Sequence, residues 1–562
     1  CKTVRDCANT QRCVNGSCAE ISTPGAIGES CRTSTDCQAG LSCNSNEQGY
    51  PGGYCTADCA ANSCSTGACT TIGTADLCAA QCTNDSTCRL GYGCCATLNN
   101  VCVPLGACTP AACTRPVVPS AIAASIPGAQ VVALGTHKVG DAVPFDVPAG
   151  TGSVTIVHQA VIADLTLTFK GQIIDNSAVP LSVTMPGGGV AYDDNVQING
   201  SADGGSDYSG SYAFFGGDTP STAAFTFPNT TASLDAGVPA GAWKFVVNDF
   251  ANECLTTPGC TDGGTNANTY DVSVLLRPLP AGSNLDVSFY IVADMTTLGR
   301  QPFTAANAVN DPSVQQMVRT YKALFQNGIL GNNKPGITVR NVSFFDVSAA
   351  DRSRFGTNIS ATDTGPCDEL NQMFLLSGAH PGNTVNIFLV QSLRFSAQGG
   401  GTIVGIDGTI PGPSTLNGTV HSGAVVSAAD LFAPTLQTCA AGALNIANCG
   451  PDRVAYIAAH ETGHFLGLFH TTEQNGSDFD PLGDTPKCPC IPCSGADQKN
   501  CADTPGPLAP FLAADKCVGS GAACPAGGGD NLMFWQLEPG FSTGAITPQQ
   551  AQVMKLNPAV VP

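Results

Sequence analysis

Apolar and polar positions alternate along the middle of the chain. In the segment ADLTLTFKG, Leu165, Leu167 and Phe169 are separated by aspartate and threonine, and similar short runs recur in LSVTM, AAFTF, AWKFVV and YDVSVLL. Successive side chains of a β-strand point to opposite faces of the sheet, so this alternation predicts short strands with one buried face. Gly, Pro, Asn and Asp separate the runs, which is typical of the turns in an antiparallel β-sandwich.

The pattern changes after residue 284, where predicted strands and helices alternate. LDVSFYIV, ITVRNVSFFDV and TVNIFLV predict strands. Asp311 followed by Pro312 marks the start of a helix, because aspartate caps free N–H groups and proline suits the first turn. The apolar residues on one face of that helix are Val314, Met317, Val318 and Tyr321. CDELNQMFLL predicts a second helix and SGAVVSAADLF an edge strand over a cleft, so we predict an α/β fold here.

Two segments rich in Pro and small residues divide the chain. TPAACTRPVVPSAIAASIPG, at residues 109–128, and RPLPAGSN, at residues 277–284, look like linkers between folded parts. A chain of 562 residues is also too long for a single core. We therefore predict disulfide-rich modules at residues 1–113, a β-sandwich at residues 114–282 and an α/β domain at residues 283–562.

Cysteine is concentrated at the amino-terminal end, where residues 1–113 hold 19 of the 30 cysteines. Five residues separate neighbouring cysteines in three groups, which are Cys1, Cys7 and Cys13, then Cys31, Cys37 and Cys43, then Cys82, Cys88 and Cys94. Short modules bury too little apolar surface to fold unaided, and the paired C-x2-C clusters of zinc ribbons are missing, so we predict disulfides. We interpret Cys1 as part of the first module rather than as a lipid attachment site. Disulfides form outside the reducing cytosol, which predicts a secreted or extracellular protein and leaves attachment to a cell surface open.

The charge balance narrows the range of partners. The chain has 23 Lys and Arg against 43 Asp and Glu, for a net charge of −20. Binding to nucleic acid requires clusters of basic residues, so nucleic acid is not an expected partner. The sequence has no run of 18 or more apolar residues, so we expect no membrane-spanning helix.

The segment HETGHFLGLFH, at residues 460–470, carries the candidate chemistry. It follows DRVAYIAA, whose apolar positions predict a helix. His460 and His464 are four residues apart and therefore project from the same helical face. Gly467 can adopt a positive φ and end the helix, which would bring His470 back as a third ligand. Three neutral imidazoles with one open coordination position are typical of catalytic Zn²⁺.

Glu461 is offset by one position from His460, which places its carboxylate beside the metal rather than on it. It is the candidate general base, which takes a proton from metal-activated water and delivers it to the leaving amine. The competing interpretation is a solvated helix face with scattered histidines. However, three of the seven histidines cluster in this segment. The histidines without partners at ligand spacing are His137, His158, His380 and His421.

The pattern H-E-x-x-H-x-x-G-x-x-H resembles the signature of the metzincin zinc proteases. This resemblance implies a metzincin-type α/β catalytic domain with a methionine turn beneath the metal. Met533, in GGGDNLMFW, is the candidate for that turn, and the chain has only six methionines. A polarizable thioether suits a packed floor under the ligands, and a buried core methionine would serve the same packing purpose.

Within the metzincins, residues 285–562 look most like the pappalysins. The resemblance rests on the histidine motif, on GDTP and on NLMFW followed by ITPQQAQVMKLNP. It implies a cross-linked segment before the methionine turn that can hold Ca²⁺. The candidate calcium ligands there are Asp478, Asp480 and Asp484. The family usually carries tyrosine two residues after the methionine, whereas this chain has Trp535, whose indole N–H can donate a hydrogen bond but cannot bind a metal.

Residues 120–278 resemble the jelly-roll P-domain that accompanies many secreted proteases, through MPGGGVAYDD, VPAGAWKFVVNDFANEC and TYDVSVLLRP. Together these features predict a secreted zinc-dependent endopeptidase that acts on protein or peptide substrates, with accessory domains that attach it to a cell surface or matrix. The alternative is a surface adhesion or matrix-binding protein with an inactive protease-like domain. Trp535 and the two large accessory regions motivate this alternative.

Overall fold

A computed structural model describes residues 11–104 and 128–562 with gaps, the longest of which cover residues 194–221 and 487–526. The first predicted linker, before residue 128, lies outside the described residues, as do Cys1 and Cys7. The described residues of the amino-terminal part form four antiparallel hairpins, β1–β2, β3–β4, β5–β6 and β7–β8. Their strands are β1 (Gln11–Val14), β2 (Ser17–Glu20), β3 (Ser42–Asn44), β4 (Tyr54–Thr56), β5 (Ala68–Ile72), β6 (Ala75–Ala79), β7 (Tyr92–Cys95) and β8 (Val101–Pro104).

Disulfides cross-link the hairpins β3–β4, β5–β6 and β7–β8, which confirms the prediction of a disulfide-rich amino-terminal region. Six bonds between described cysteines form three interleaved pairs, so that within each pair one bond starts inside the loop that the other closes. The bonds are Cys31–Cys43 with Cys37–Cys55, Cys59–Cys69 with Cys64–Cys78, and Cys82–Cys94 with Cys88–Cys102. Sulfur atoms in these bonds are not thiolates, so they are not available to bind a metal.

In the part of the middle region that the structure describes, there are two four-stranded antiparallel sheets and a three-stranded sheet. The strand orders are β10-β17-β14-β15, β16-β11-β19-β9 and β13-β12-β18. The elements are β9 (Gln130–Lys138), β10 (Ala142–Val147), β11 (Thr151–Ile162), β12 (Thr166–Phe169), β13 (Gln172–Asp175), β14 (Ala178–Thr184), β15 (Val190–Asp193), β16 (Thr222–Phe227), helix α1 (Thr231–Ala236), β17 (Gly241–Asp249), β18 (Cys260–Thr261) and β19 (Thr269–Pro278). The two four-stranded sheets share one core, which includes Ile156, Phe225, Trp243 and Phe245. We call these two sheets the sandwich. Alternation along its strands gave the correct type of structure because one face of each sheet is buried in that core.

The remainder of the chain is α/β. Its elements are β20 (Asn284–Ile291), α2 (Ala305–Ala308), α3 (Pro312–Phe325), β21 (Thr338–Asp346), α4 (Ala349–Phe355), β22 (Asn358–Ser360), α5 (Glu369–Phe374), β23 (Val385–Val390), β24 (Ser392–Arg394), β25 (Gly405–Asp407), β26 (Ala424–Ser427), α6 (Gly450–Phe465) and α7 (Pro548–Leu556). The main sheet has the order β21-β20-β23-β26-β25. The first four strands are parallel and β25 is antiparallel to β26.

The edge strand of this sheet differs from the sequence-based prediction. SGAVVSAADLF contains β26, which pairs with a strand on each side, and the edge over α6 is β25. The sequence hides β25 because its three residues, Gly-Ile-Asp, are too few to show any periodicity. By contrast, β26 is buried because both of its neighbours and α6 cover it.

Helix α3 begins as predicted. Asp311 accepts hydrogen bonds from the main-chain N–H groups of Ser313 and Val314, which confirms the cap. The buried face of α3 packs on α6, and Tyr321 shares a hydrogen bond with Thr462. Among the described residues, none of the helices combines the length and the apolar character needed to cross a bilayer.

RPLPAGSN is not an extended linker. Arg277 and Pro278 end β19, Asn284 begins β20, and the connection between the strands is short. Arg277 is fully buried. Pro and Gly in this segment therefore belong to a short connection between two packed structures. The domain boundaries at residues 114 and 283 stay predictions.

Candidate metal centre

Helix α6 carries the first part of the histidine motif, and it is fixed at its first turn by a buried carboxylate. Asp452 accepts hydrogen bonds from Gln316 and Thr320 of α3 and from the main-chain N–H of Asn445. A carboxylate near the start of a helix also interacts favourably with the helix dipole. The disulfide Cys439–Cys449 ends at the residue that precedes α6. The start of the helix is therefore held by a covalent bond and by a network of polar contacts.

The carboxyl end of α6 is a tight glycine turn, as the sequence predicts. Gly467 has a φ of 102° and its N–H donates to the carbonyl of His464, while Leu468 N–H donates to the carbonyl of Gly463. This pair of hydrogen bonds is a Schellman motif, in which glycine adopts the left-handed conformation without a steric penalty. The chain reverses after Gly467 and returns His470 towards the helix.

The three histidines of the motif converge. The Nε2 atoms of His460 and His464 are 3.1 Å apart, those of His464 and His470 are 3.1 Å apart, and those of His460 and His470 are 3.2 Å apart. Among the described residues, the other groups of three close potential ligands consist of cysteines that form disulfides. The histidine group could therefore hold a metal ion.

Each of these histidines is oriented by a hydrogen-bond acceptor at its other ring nitrogen. His460 Nδ1 lies 2.6 Å from the carbonyl oxygen of Leu532, and His464 Nδ1 lies 2.7 Å from that of Leu468. His470 Nδ1 lies 2.8 Å from Glu473 Oε1. Carbonyl and carboxylate oxygens accept hydrogen bonds, so all three Nδ1 atoms donate and all three Nε2 atoms carry a lone pair when the rings are neutral.

Burial favours the neutral form of the two helical histidines. It lowers the pKa of His460 to about 3, with a smaller contribution from His470. It also lowers the pKa of His464 well below its usual value. A neutral imidazole is the form that binds a metal ion, so no proton has to be displaced from His460 or His464 at neutral pH.

Glu461 lies beside the histidine group and is buried under the edge strand. Burial raises the pKa of its carboxyl to about 8. A β-carbon at Gly405 would clash with Glu461 Oε1 and with Ile457, so β25 passes directly over the carboxylate. Asp407 is two residues further along β25, and burial together with the nearby Glu461 raises its pKa well above the usual value. The sequence did not single out Gly405 or Asp407, because a three-residue strand has no recognisable pattern.

Met533 is fully buried against α6. A β-carbon on Gly463 would clash with its Sδ atom, so the thioether occupies the space that this glycine leaves free. Its main-chain carbonyl accepts a hydrogen bond from Thr471, the residue that follows the third histidine. Leu532, the preceding residue, supplies the carbonyl acceptor for His460. The turn around Met533 therefore contacts both the helix and the return segment, and Trp535 follows it as a partly buried residue.

The candidate calcium ligands have varied surroundings. Asp478 lies outside the described residues. Asp480 is buried and accepts hydrogen bonds from Leu482 N–H and from the Thr485 hydroxyl. Asp484 accepts hydrogen bonds from Thr547 and from the N–H of Gln549, at the start of α7. Asp480 and Asp484 therefore have structural roles in the protein, and their role in calcium binding stays a prediction.

No protein-family model matches the chain, and no curated protein matches it. Among solved structures, the chain is similar to mirolysin in complex with compound 9, with 13% identity over 49% of this chain and 91% of that chain, and a TM-score of 0.25. It is also similar to the catalytic domain of a GH87 alpha-1,3-glucanase in complex with nigerose, with 10% identity over 51% of this chain and 44% of that chain, and a TM-score of 0.12. A family two carbohydrate esterase from Cellvibrio japonicus has 12% identity over 48% of this chain and 66% of that chain, with a TM-score of 0.09. Similarities with TM-scores this low carry no inference about function.

Proposed function

We propose that the chain is a secreted zinc-dependent endopeptidase, in which His460, His464 and His470 hold Zn²⁺ and Glu461 is the general base. The observation that carries this proposal is the convergence of three Nε2 atoms within 3.1–3.2 Å of one another. Their lone pairs point into the same space and repel one another. A cation in that space turns this repulsion into three favourable bonds.

Zinc suits this set of donors. Zinc binds imidazole nitrogen at about 2.0–2.1 Å in a tetrahedral arrangement, which separates neighbouring ligand atoms by about 3.3 Å. The observed separations of 3.1–3.2 Å are close to that value. Calcium and magnesium prefer oxygen ligands, so a site of three imidazoles disfavours them.

The surrounding residues support peptide hydrolysis. When bound, zinc polarises a carbonyl group and lowers the pKa of water. A positive charge held by the neighbouring histidines would lower the raised pKa of the Glu461 carboxyl and keep it ionised at neutral pH. Glu461 then takes a proton from the attacking water and returns it to the leaving amine. Gly405 leaves room for the Glu461 carboxylate, and Met533 packs beneath Gly463 so that bulk water is excluded from this side of the centre.

We further propose a metzincin, and within that family a pappalysin-like enzyme. The histidine signature, the glycine turn at Gly467 and the buried Met533 support the first assignment, and the segments GDTP and NLMFW support the second. The disulfides are consistent with an extracellular protein and support secretion. The calcium ligands Asp478, Asp480 and Asp484 belong to the same proposal and rest on the family resemblance.

The proposal is tested by comparing the parent protein with Glu461→Gln. We expect the parent to contain zinc and to digest casein, with chelation stopping digestion and added zinc restoring it. Glu461→Gln keeps the shape of the side chain but removes the base, so it should retain zinc and lose proteolysis. Asp235→Asn, an exposed carboxylate on α1, is the control and should behave like the parent. Parent-like digestion by Glu461→Gln would show that this carboxylate is not the base.

The second candidate function is adhesion or matrix binding by a protein whose protease-like domain is inactive. Trp535 favours it, because an indole cannot ligate or ionise at the position where the pappalysins usually carry tyrosine. A zinc-loaded parent protein that digests no member of a peptide library would support this candidate. Digestion that depends on zinc would reject it.

A further inference from the structure

Two residues of the sandwich contact the end of the last helix. Ser153 on β11 and Arg277 on β19 are directly opposite each other across the strand pair, and both side chains are fully buried. Ser153 Oγ donates to the carbonyl oxygen of Leu556 at 2.7 Å, and Arg277 Nη1 donates to that of Asn557 at 2.9 Å. These carbonyls lie at the carboxyl end of α7, where a positive charge interacts favourably with the helix dipole.

Asn557 connects this contact to the histidine helix. Its side-chain Nδ2 donates to the carbonyl oxygen of Phe465, the last residue of α6, at 3.4 Å. Its Oδ1 accepts hydrogen bonds from Ser414 Oγ at 2.8 Å and from Ala559 N–H at 2.9 Å. Gly412 N–H donates to the same carbonyl of Phe465 at 2.9 Å. The carbonyls in the last turn of a helix have no partner within the helix, so these contacts supply what α6 itself lacks.

The sandwich also covers the loop that carries Gly412 and Ser414. Leu416 in this loop is buried against Val157, Ala224 and Leu275, which lie on three adjacent strands of the sandwich. The sheet that contains Ser153 and Arg277 therefore holds both partners of the Phe465 carbonyl. One partner is Asn557, through the end of α7, and the other is Gly412, through the loop.

Stability alone does not explain why a charged Arg277 side chain is buried at the end of α7. Burial lowers the pKa of its guanidinium to about 10, and its Nε and Nη2 atoms have no hydrogen-bond partner among the described residues. A buried charge with incomplete pairing contributes little net stability compared with an apolar side chain of similar size. A directional contact, however, fixes the position of the Asn557 carbonyl in a way that an apolar side chain cannot.

We propose that the sandwich is part of the scaffold of the metal centre, and that Arg277, Ser153 and Asn557 are positioning residues for His464 and His470. They fix the carbonyl end of α6 at Phe465, one residue after His464 and two before the glycine turn that returns His470. Without this support, the last turn of α6 frays, and the segment that returns from Gly467 to His470 is no longer held in one position. The effect on zinc rests on the proposed function, whereas the effect on the end of α6 does not.

The experiment compares variants of the full chain that remove single links. Arg277→Met keeps a long side chain but cannot donate, and Arg277→Lys restores one donor. Asn557→Asp keeps the acceptor for Ser414 and Ala559 but loses the donor to Phe465. Arg340→Met is the matched control, because Arg340 is a surface residue on β21 that pairs with Asp286.

Two readouts separate the inference from the proposed function. In the metal-free protein, amide hydrogen exchange of residues 462–470 should be faster in Arg277→Met and Asn557→Asp, intermediate in Arg277→Lys, and unchanged in Arg340→Met. In the loaded protein, zinc affinity measured by chelator competition should fall about tenfold, the lower end of the range for residues that orient metal ligands. The visible spectrum of Co²⁺ in the site should shift in the same two variants.

Parent-like exchange at residues 462–470 in Asn557→Asp and in Arg277→Met would overturn the inference, whether or not the parent binds zinc. If Arg277→Met does not fold, Asn557→Asp and the milder Ser153→Ala decide the outcome with the same readouts. If the parent protein binds no metal, the proposed zinc-dependent function is rejected. The hydrogen-exchange measurement still tests whether these residues fix the end of α6.

Discussion

Glu473 is the acceptor for His470 Nδ1, whereas His460 and His464 use main-chain carbonyls. A carboxylate acceptor strengthens the ligand, because it draws the Nδ1 proton and raises the electron density at Nε2. Of the three acceptors, it is also the one that a side-chain substitution removes. Glu473 therefore gives direct access to the third ligand without altering the histidine itself.

We predict that Glu473→Gln weakens zinc binding by about 10- to 100-fold, because the amide is a weaker acceptor than the carboxylate. Competition with a chelator of known affinity measures this loss. Asp235→Asn should bind zinc as the parent does. Equal affinity in Glu473→Gln and the parent would mean that the Glu473 carboxylate does not orient His470.

His158 is a fully buried imidazole in the core of the sandwich, and its ring contacts the rings of Phe245 and Tyr270. Burial lowers the pKa of His158 to about 3, and the hydroxyl of the neighbouring Tyr270 donates to Asp249. The folded pKa lies below the unfolded value of about 6.5, so protons bind more tightly to the unfolded chain. The contribution of His158 is therefore intact above pH 6.5 and is lost as the pH falls towards 3.

We predict that His158→Leu reduces the acid sensitivity of the sandwich. In the parent, this one residue makes the free energy of unfolding fall by up to about 1.4 kcal/mol for each pH unit between about 6.5 and 3. The leucine variant should show a flatter dependence in urea unfolding curves recorded across that range. Parallel curves for the two proteins would mean that His158 titrates normally in the folded state.

The sequence was informative about residues whose spacing is fixed by a helix, and less so about the residues around them. The four-residue interval between His460 and His464 predicts that they share a helical face. The glycine at position 467 predicts the turn that brings His470 back to them. Glu473 was missed because a carboxylate three residues after a histidine has no distinctive pattern. The neighbouring acceptors, Leu532 and Leu468, contribute only main-chain atoms, so no side-chain pattern could reveal them.

Among the elements, the turn after α6 determines the position of His470, the third histidine. Gly467 has a φ of 102°, and a residue with a β-carbon is strained there by about 1–2 kcal/mol. We predict that Gly467→Ala lowers the melting temperature and weakens zinc binding, because the turn relaxes and moves His470. Gly140, in the turn between β9 and β10, has a φ of 87° and open space around it. Gly140→Ala should therefore be destabilised in a similar way but should bind zinc as tightly as the parent.

The edge strand β25 supports a different prediction. A β-carbon at Gly405 would clash with Glu461, so Gly405→Ala should displace the carboxylate and leave the histidines in place. Misplacing a catalytic group by about 1 Å can cost about 100-fold in rate. We therefore expect kcat to fall steeply while zinc content stays at the parent level. Gly382→Ala has only ordinary contacts and is the control for the added methyl group.

The periodicity of apolar residues predicted the long helix and strands but did not reveal the three-residue strand β25. The helix from Pro312 and the alternating strands of the sandwich carry enough residues to show a face. Strand β25 has three residues, and its place at the edge follows from pairing with β26, a contact between distant parts of the chain. Pairing between distant parts of the chain produces no pattern within a short stretch of sequence, so it cannot be predicted from that stretch alone.

For the whole molecule, metal and stability should be linked. A ligand that binds only the folded state stabilises it by about 2.7 kcal/mol when its free concentration is 100 times the dissociation constant. We predict that chelation lowers the melting temperature of the transition that includes the α/β part, and that added zinc restores it. His464→Ala removes a ligand, so its melting temperature should not respond to zinc. A zinc response that persists in this variant would place the bound metal elsewhere.

The general organisation was visible in the sequence, but the association between its parts was not. Cysteine spacing, alternation and the change of pattern near residue 284 indicated three kinds of structure in the correct order. RPLPAGSN suggested a loose connection, yet Arg277 within it is buried against the end of α7. Composition alone cannot distinguish a flexible linker from a short connection between tightly packed structures.

The interleaved disulfides have a consequence for what happens when a peptide bond between them is cut. A cut anywhere between Cys37 and Cys43 leaves two pieces, and both Cys31–Cys43 and Cys37–Cys55 still join them. The same holds between Cys64 and Cys69 and between Cys88 and Cys94. A single nick in these stretches therefore releases no fragment, so the parts of the amino-terminal region on either side of the cut stay tethered.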